Sequence, residues 1–112
     1  MLTLQTMTED DSHIVSPQEA LQLARQGAQF IDVRTSAEFS SAHIQGSINV
    51  ALGLGAFALP VDRSTQVVTV CAFGRRSFIA LLRLRAQGYA HVKSMRGGLA
   101  AWKACGLPMR ID

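Results

Sequence analysis

The feature that most constrains the fold of this chain is a regular alternation of short strand-like segments with signals that start and stop helices. Residues 29–33 and 66–70 are apolar runs of strand length, and residues 92–95 form a third short segment of this kind. Ser16 and Thr35 each begin a capping box, because each hydroxyl is followed three residues later by a glutamate. Such an alternation predicts an α/β fold in which helices cover both faces of a parallel sheet.

Residues that typically start or end helices set the bounds of the predicted elements. Four helices are expected, over residues 17–26, 36–41, 77–87 and 99–104. Gly27 and Gly88 each stand at the end of one of these helices, as is typical of a C-terminal cap. Residues 66–70 are β-branched and apolar on both faces, which predicts the middle strand of the sheet, and residues 14–15 predict an edge strand. Residues 51–59 leave open whether a short helix forms there.

The bulk composition predicts one globular domain. The 112 residues suit a single domain over 13–112, after a flexible N-terminal tail over 1–12. With 48% hydrophobic and 17% charged residues, the chain has enough apolar side chains for a core. The net charge is +3 and no stretch holds five or six like charges, so no nucleic-acid partner is expected.

Targeting and metal signals are also missing from the sequence. The N-terminus has no basic region followed by an apolar core, and no apolar run is long enough to span a membrane, so a cytoplasmic location without membrane contact is expected. Two cysteines make no disulfide framework, which favours a reducing compartment. The three histidines are far apart in sequence, so neither a metal nor another cofactor is expected.

Cys71 is the residue most suited to chemistry. It follows the central strand directly, and ligands of parallel α/β sheets bind at the carboxyl ends of strands. The amides of the next loop can form an anion-binding nest, and the following helix adds its positive end. Gly74 permits a tight turn, and Arg75 and Arg76 add positive charge. These surroundings favour a reactive thiolate. The alternative is a small buried apolar cysteine, but the glycine and paired arginines favour the reactive interpretation.

Four segments in order make the chain similar to a known family. They are Ile31-Asp32-Val33-Arg34 with Glu38, residues 42–49 (Ala-His-Ile-Gln-Gly-Ser-Ile-Asn), residues 68–77 (Val-Thr-Val-Cys-Ala-Phe-Gly-Arg-Arg-Ser), and residues 96–102 (Arg-Gly-Gly-Leu-Ala-Ala-Trp) followed by Gly106-Leu107-Pro108. Over residues 14–108 the sequence resembles the rhodanese-like family. One departure is Ala42, where the family commonly has glycine.

The resemblance implies a five-stranded parallel sheet flanked by helices on both faces, and sulfurtransferase activity of the thiosulfate sulfurtransferase type. In such an enzyme Cys71 takes a sulfane sulfur from a small anionic donor such as thiosulfate and passes it, as a persulfide, to cyanide or a thiol. A protein persulfide donor or a protein thiol acceptor is a further partner that the resemblance allows. The implied anion cradle consists of Ala72, Phe73, Gly74, Arg75, Arg76 and Ser77, and Arg76 is the candidate to guide the donor.

Two alternatives to sulfur transfer remain open. Related phosphatases and arsenate reductases have an arginine six positions after the cysteine, whereas this chain has Ser77 there. The shorter loop fits a sulfur atom better than a tetrahedral oxyanion, which needs a bidentate arginine. A non-catalytic binding module of the same fold is the other alternative, and retention of Cys71 in a basic loop argues against it.

Three acidic or basic residues are expected to support the loop. Asp32 is expected to brace the cysteine loop through hydrogen bonds, because a buried carboxylate needs partners. Arg34 and Glu38 are four residues apart near a helix start and are expected to form an ion pair with each other. Cys105 is expected to be a packed small side chain, and His43 is expected to be structural.

Overall fold

Strands and helices alternate along the part of the chain that the structure describes, which is residues 13–53, 55 and 57–110. In this computed structural model the strands are β1 (Ile14–Val15), β2 (Gln29–Asp32), β3 (Ile48–Asn49), β4 (Val67–Val70) and β5 (Val92–Met95). The helices are α1 (Pro17–Arg25), α2 (Ser36–Ser41), α3 (Arg75–Ala86) and α4 (Gly98–Ala104). The predicted tail, residues 1–12, lies outside the described residues.

The five strands form one parallel sheet in the order β1-β5-β4-β2-β3. The predicted fold class is therefore confirmed, with β4 in the middle and β1 at one edge. All four residues of β4 are buried, as expected for a parallel strand covered on both faces. This arrangement puts the residue that follows β4 at the centre of the carboxyl edge of the sheet.

Side chains of β4 alternate between two separate cores, because successive residues of a strand point to opposite faces. Val67 and Cys71 pack with Leu81 and Leu84 of α3. On the other face, Val68 and Val70 pack with residues of α1 and α4, among them Trp102. Burial of each such aliphatic side chain stabilises the fold by about 1.5–3 kcal/mol. The sheet is thus anchored from both sides at the strand that precedes the cysteine.

Both predicted capping boxes are present. At α1, the Glu19 amide donates to Ser16 Oγ over 3.1 Å, and the Ser16 amide donates to the Glu19 carboxylate over 2.9 Å. At α2, Thr35 and Glu38 exchange the same two hydrogen bonds over 3.2 and 3.0 Å. The starts of the first two helices are therefore defined by hydrogen bonds between residues that are three positions apart in the chain.

The structure moves the start of one predicted helix and answers the question that residues 51–59 left open. The helix after Cys71 begins at Arg75 rather than at residue 77, because Gly74 adopts a left-handed conformation (φ 99°) and serves as its N-cap. Arg75 and Arg76 are therefore in the first helical turn. Between residues 51 and 59, the described residues form no helix. Instead Leu52 donates its amide to the Val33 carbonyl over 3.0 Å, which extends the chain alongside β2.

Candidate active site

The sulfur of Cys71 is buried at the end of β4 and caps helix α3. The Cys71 residue is 1% exposed. Cys71 Sγ accepts hydrogen bonds from the Gly74 amide over 3.1 Å and from the Ser77 amide over 3.2 Å, and it lies 3.5 Å from Ser77 Oγ. Because the first amides of a helix have no partner within the helix, the sulfur fills the place that a capping side chain usually takes.

These donors change the acidity of the thiol. Burial alone would raise the pKa of Cys71, but hydrogen bonds from the Ser77 hydroxyl and from the amides of Ser77, Gly74 and Phe73 outweigh burial and lower it below its ordinary value. A thiolate benefits most from such donors because hydrogen bonds to a charged group are stronger than those to a neutral one. The site therefore holds a cysteine whose nucleophilic form is favoured.

Two glycines at the start of α4, the N-cap Gly97 and the first helical residue Gly98, keep the backbone of the cysteine loop in place. The amide of Leu99 donates to the Cys71 carbonyl over 2.8 Å, and the amide of Ala100 donates to the Ala72 carbonyl over 3.0 Å. A Cβ on Gly98 would lie 2.6 Å from the Ala72 carbonyl carbon, so a side chain cannot fit there. With its carbonyls bonded to α4, the loop turns amides of Gly74 and Ser77 toward the sulfur.

The glycine pair is a functional feature that the reasoning from sequence did not assign. Gly97 and Gly98 were noted only as members of a family-like segment. The signal that could have identified them is the pair itself, since two glycines ahead of a helix permit positive φ and close approach of another backbone. Their φ values are 72° and 61°.

Arg76 and Arg34 each form an ion pair near the site, and neither is the predicted pair of Arg34 with Glu38. Arg76 binds the Glu38 carboxylate in a bidentate manner over 2.7 and 2.9 Å. Arg34 binds Asp32 over 2.7 Å and also donates to the Ala42 carbonyl. The prediction is wrong because Arg34 precedes the N-cap residue Thr35, so the four-residue spacing of helical ion pairs does not apply to it.

Glu38 connects two parts of the site. Its hydrogen bonds with Arg76 and then with the Thr35 amide lower the pKa of its carboxyl to about 2. One carboxylate therefore closes the capping box of α2 and orients the guanidinium on the first turn of α3. Arg75, in contrast, is exposed.

Asp32 braces a different loop from the one expected. Its carboxylate accepts hydrogen bonds from the Arg34 amide over 3.0 Å and from the Arg34 guanidinium. These contacts rigidify the turn between β2 and α2. That turn is joined to β4 through the Val33 amide, which donates to the Val70 carbonyl over 2.9 Å. Asp32 and Arg34 thus support Cys71 indirectly, through the backbone hydrogen bond between Val33 and Val70.

Apolar side chains are exposed on the loop after Cys71 and along α3. Phe73 is 78% exposed, and Phe78, Ile79 and Leu82 on the outer side of α3 are also partly exposed. Exposed aromatic groups on a loop next to a reactive atom restrict which molecules can approach it. The cationic first turn of α3 therefore lies next to an exposed aromatic side chain of the cysteine loop, and we call Phe73 the apolar rim.

Two residues considered in the sequence lie away from these contacts. His43 is buried, stacks on Phe39 with ring centroids 3.8 Å apart, and bonds to the Phe39 carbonyl. Cys105 is exposed rather than packed, because it follows the last turn of α4, and its sulfur accepts a hydrogen bond from Gln18. Among the described residues, no cluster of three or more metal-ligating side chains occurs, and no helix is long and apolar enough to cross a membrane.

Comparisons with known proteins agree with this architecture. A sequence model described as Rhodanese-like domain matches residues 16–105. The thiosulfate sulfurtransferase GlpE of Pseudomonas fluorescens is 38% identical over 90 residues, which cover 80% of this chain and 83% of that protein. A protein named sulfurtransferase from Allochromatium vinosum is 39% identical over 84 residues, or 70% of this chain and 75% of its own.

A solved structure matches the fold. The solution structure of a rhodanese-like domain from an Anabaena protein superposes with a TM-score of 0.75 at 22% identity, over 89% of this chain and 80% of that one. At this identity the match concerns the fold alone.

Proposed function

The chain belongs to the rhodanese-like domain family, and from that premise we propose that it is a sulfurtransferase in which Cys71 carries the sulfur. The observation that supports this proposal most directly is the pair of amides, from Gly74 and Ser77, that meet at the Cys71 sulfur. They favour the thiolate that must attack the donor. The names of the matching proteins from Pseudomonas and Allochromatium support the same chemistry.

The first half-reaction transfers one sulfur atom to Cys71. Its thiolate attacks the outer sulfur of thiosulfate, and a new S–S bond forms. The S–S bond of thiosulfate breaks, and its electron pair leaves with sulfite. Cys71 is left with a persulfide whose terminal sulfur is negatively charged. No proton transfer is needed, so the step requires a populated thiolate but no general base.

The anion cradle would stabilise both the thiolate and the persulfide. We assign this role to the loop of Ala72, Phe73, Gly74, Arg75, Arg76 and Ser77. Its amides and the positive end of α3 favour negative charge in the space above the sulfur. Because these dipoles are fixed by the bonds to α4, they need little reorganisation during the reaction.

The donor would be guided by the two arginines of the first turn. Arg76 is held by Glu38 in one orientation, and its guanidinium is the candidate partner for the sulfonate end of thiosulfate. Arg75 is exposed and adds positive charge at the entrance. Glu38 offsets part of the charge of Arg76, which keeps anion binding weak enough for sulfite to leave.

The second half-reaction passes the terminal sulfur to an acceptor. A thiolate or cyanide attacks that sulfur, and the Cys71 thiolate leaves with the electron pair. A thiol of low pKa is the better leaving group, so the same hydrogen bonds assist both halves of the cycle. The cycle requires a compartment that keeps Cys71 reduced, such as the cytoplasm.

Incubation with thiosulfate followed by intact-mass measurement tests the proposal. We expect the wild-type chain to gain the mass of one sulfur atom and to lose it again on addition of cyanide. The chain offers a matched control in its second cysteine: Cys105→Ser should gain sulfur normally, whereas Cys71→Ser should gain none. Equal gain on Cys71→Ser, or no gain on the wild type, contradicts the proposal.

A further inference from the structure

A row of buried hydroxyl groups lies beneath Cys71. Ser94 Oγ is 3.0 Å from Ser77 Oγ, and Ser77 Oγ is 3.5 Å from Cys71 Sγ. Ser77 and Ser94 are 0% and 2% exposed. Ser94 belongs to β5, where it pairs with Thr69 of β4. Its side chain thus approaches the cysteine from the neighbouring strand, which no local sequence signal indicates.

The proton count fixes the direction of these hydrogen bonds. The Ser77 hydroxyl has one proton and two lone pairs. Its other neighbours are the Gly74 carbonyl, 3.2 Å away, and the Cys71 sulfur. A carbonyl only accepts, and a thiolate only accepts. Ser77 therefore gives its proton to one of these two groups, and it meets Ser94 as an acceptor. Ser94 is the donor.

Ionisation of Cys71 reverses the direction of the hydrogen bond between Cys71 and Ser77. In the thiol, the S–H group donates to Ser77 Oγ, and the Ser77 proton points to the Gly74 carbonyl. In the thiolate, the Ser77 proton turns to the sulfur. The Gly74 carbonyl keeps a hydrogen bond from the Phe78 amide over 3.3 Å. Throughout, Ser94 donates to Ser77, and a hydroxyl that accepts one hydrogen bond becomes a better donor in the next.

We propose that Ser94 is a positioning residue for Cys71, because its hydroxyl holds Ser77 in place and strengthens Ser77 as a donor to the thiolate and the persulfide. This inference rests on the proposed function, since it concerns the same sulfur. It adds a residue of β5 to a site otherwise formed by the ends of β2 and β4 and by the helices that follow them. Ser94 itself does not touch the sulfur.

The charged groups around the sulfur come from three other places. Arg75 and Arg76 belong to α3, Glu38, the partner of Arg76, belongs to α2, and the Asp32–Arg34 pair lies at the end of β2. All of them are left intact when Ser94 is changed. A change in the titration of Cys71 on substitution of Ser94 therefore reports on the hydroxyl row and not on a lost charge.

The test measures ionisation of Cys71 directly. In a Cys105→Ser background, the ultraviolet absorbance of the thiolate is titrated with pH, and the rate of alkylation by iodoacetamide is followed in parallel. We expect Ser94→Ala to move the midpoint to higher pH. Below the wild-type midpoint, alkylation should slow by about twofold to tenfold, the effect of one buried hydrogen bond. Ser94→Thr, which keeps the hydroxyl, should restore the midpoint.

Thr69 provides the matched structural control. Its buried hydroxyl donates to the Ser77 carbonyl over 2.8 Å, so Thr69→Val removes a neighbouring hydrogen bond but leaves the hydroxyl row intact. An equal midpoint shift in Thr69→Val, or no shift in Ser94→Ala, overturns the proposal. If Ser94→Ala does not fold, Ser94→Val replaces it, because valine lacks the hydroxyl and is isosteric with the threonine of Ser94→Thr.

A double-mutant cycle shows whether Ser94 acts through Ser77. We expect Ser77→Ala and Ser77→Ala/Ser94→Ala to have the same midpoint, because the effect of Ser94 needs the Ser77 hydroxyl. Additive shifts contradict the proposal. Neither titration nor alkylation involves sulfur transfer. If the proposed function fails, the mass experiment shows no sulfur uptake, but the effect of Ser94 on the ionisation of Cys71 can still be measured.

Discussion

Two turns at the same edge of the sheet lead from a strand into a helix, and they satisfy their helix amides differently. After β2, the amides at the start of α2 bond to Thr35 and Glu38 of the same turn. After β4, the corresponding amides of Gly74 and Ser77 both bond to one sulfur atom. The positions are equivalent, because Thr35 and Gly74 are N-cap residues, and Glu38 and Ser77 stand three residues later.

The difference separates a structural turn from the turn that we propose to be reactive. The first turn has hydroxyl and carboxylate caps, which do not react under ordinary conditions. In the second, glycine at the N-cap removes the side-chain cap, and the preceding Cys71 supplies the acceptor. Under the proposed function, a group that would otherwise only cap the start of a helix thereby also serves as the nucleophile. The comparison predicts that capping and reactivity can be disturbed separately.

We expect the largest effect from Gly98→Ala, because this substitution disturbs only the turn after β4. The added Cβ would meet the backbone of Ala72 and Phe73 at 2.6 Å. Overpacking of this kind costs about 1–3 kcal/mol, and an unfavourable φ adds to it. We expect lower stability to urea and a loss of sulfur uptake by more than about tenfold, since each 1.4 kcal/mol is a factor of ten.

Gly46→Ala is the control for this variant. Gly46 also has a positive φ, of 84°, but a Cβ there would meet nothing within 4 Å. It should therefore lose only about 1 kcal/mol and keep its sulfur uptake. Equal loss of uptake in both variants would show that strain, and not contact with the cysteine loop, is the cause.

Glu38→Gln should disturb both turns, because this carboxylate serves both. We expect a stability loss of about 1–2 kcal/mol from the weakened cap and the broken, partly exposed ion pair. The pKa of Glu38 is lowered to about 2 from 4.5, so its contribution is present above pH 4.5 and is lost as pH falls toward 2. The free energies of unfolding of the wild type and of Glu38→Gln, measured with urea across this pH range, should become equal at its acid end. Parallel curves would contradict the assignment.

Cys71→Ala and Cys71→Ser distinguish capping from chemistry. Both variants lack the nucleophile, but serine keeps an acceptor for the amides of α3. We expect Cys71→Ala to be less stable than Cys71→Ser by about 1 kcal/mol, the usual contribution of an N-cap. Urea unfolding at neutral pH provides the measurement, and identical midpoints would show that the sulfur is not a cap.

The same pair of variants has a signature in pH. Because the pKa of Cys71 is lowered in the folded chain, the thiolate contributes stability that is complete above the unfolded value of about 9 and is lost as pH falls through the folded pKa. Neither variant titrates there. The stability advantage of the wild type over Cys71→Ser should therefore grow with pH across that window.

The smallest expected effect is that of Phe73→Ala. This side chain lies on the reactive turn but is 78% exposed, so stability should change by less than about 0.5 kcal/mol. Sulfur uptake from thiosulfate should also be unchanged, because the amides around the sulfur remain. A slower uptake would show that the apolar rim takes part in binding even a small donor.

Much of the fold could be predicted from sequence because its signals are local. The capping boxes at Ser16 and Thr35, the β-branched central strand and the position of Cys71 each depend on a few adjacent residues. The bond between Arg76 and Glu38 spans 38 positions, and Ser94 approaches Ser77 across 17 positions. Such pairs form only when strands and helices assemble, so no local pattern predicts them.

The Arg34 prediction failed for a related reason. A spacing of four residues indicates contact only when both residues are inside one helix. Arg34 stands before the N-cap, where the chain leaves β2, and its guanidinium meets Asp32 instead. The helix start at Arg75 was also missed, because the left-handed Gly74 can begin a helix without a capping side chain of its own.

The close contact of Gly98 with the cysteine loop bears on how this site could evolve. A longer loop, of the kind suited to a tetrahedral oxyanion, would need an inserted residue between Cys71 and α3. The carbonyls of Cys71 and Ala72 are bonded to the amides of Leu99 and Ala100 in α4, so an insertion next to these two residues would displace a second helix as well. A single insertion should therefore be lost to selection. A change of substrate class would require coordinated changes in two segments that lie more than 20 positions apart in the chain.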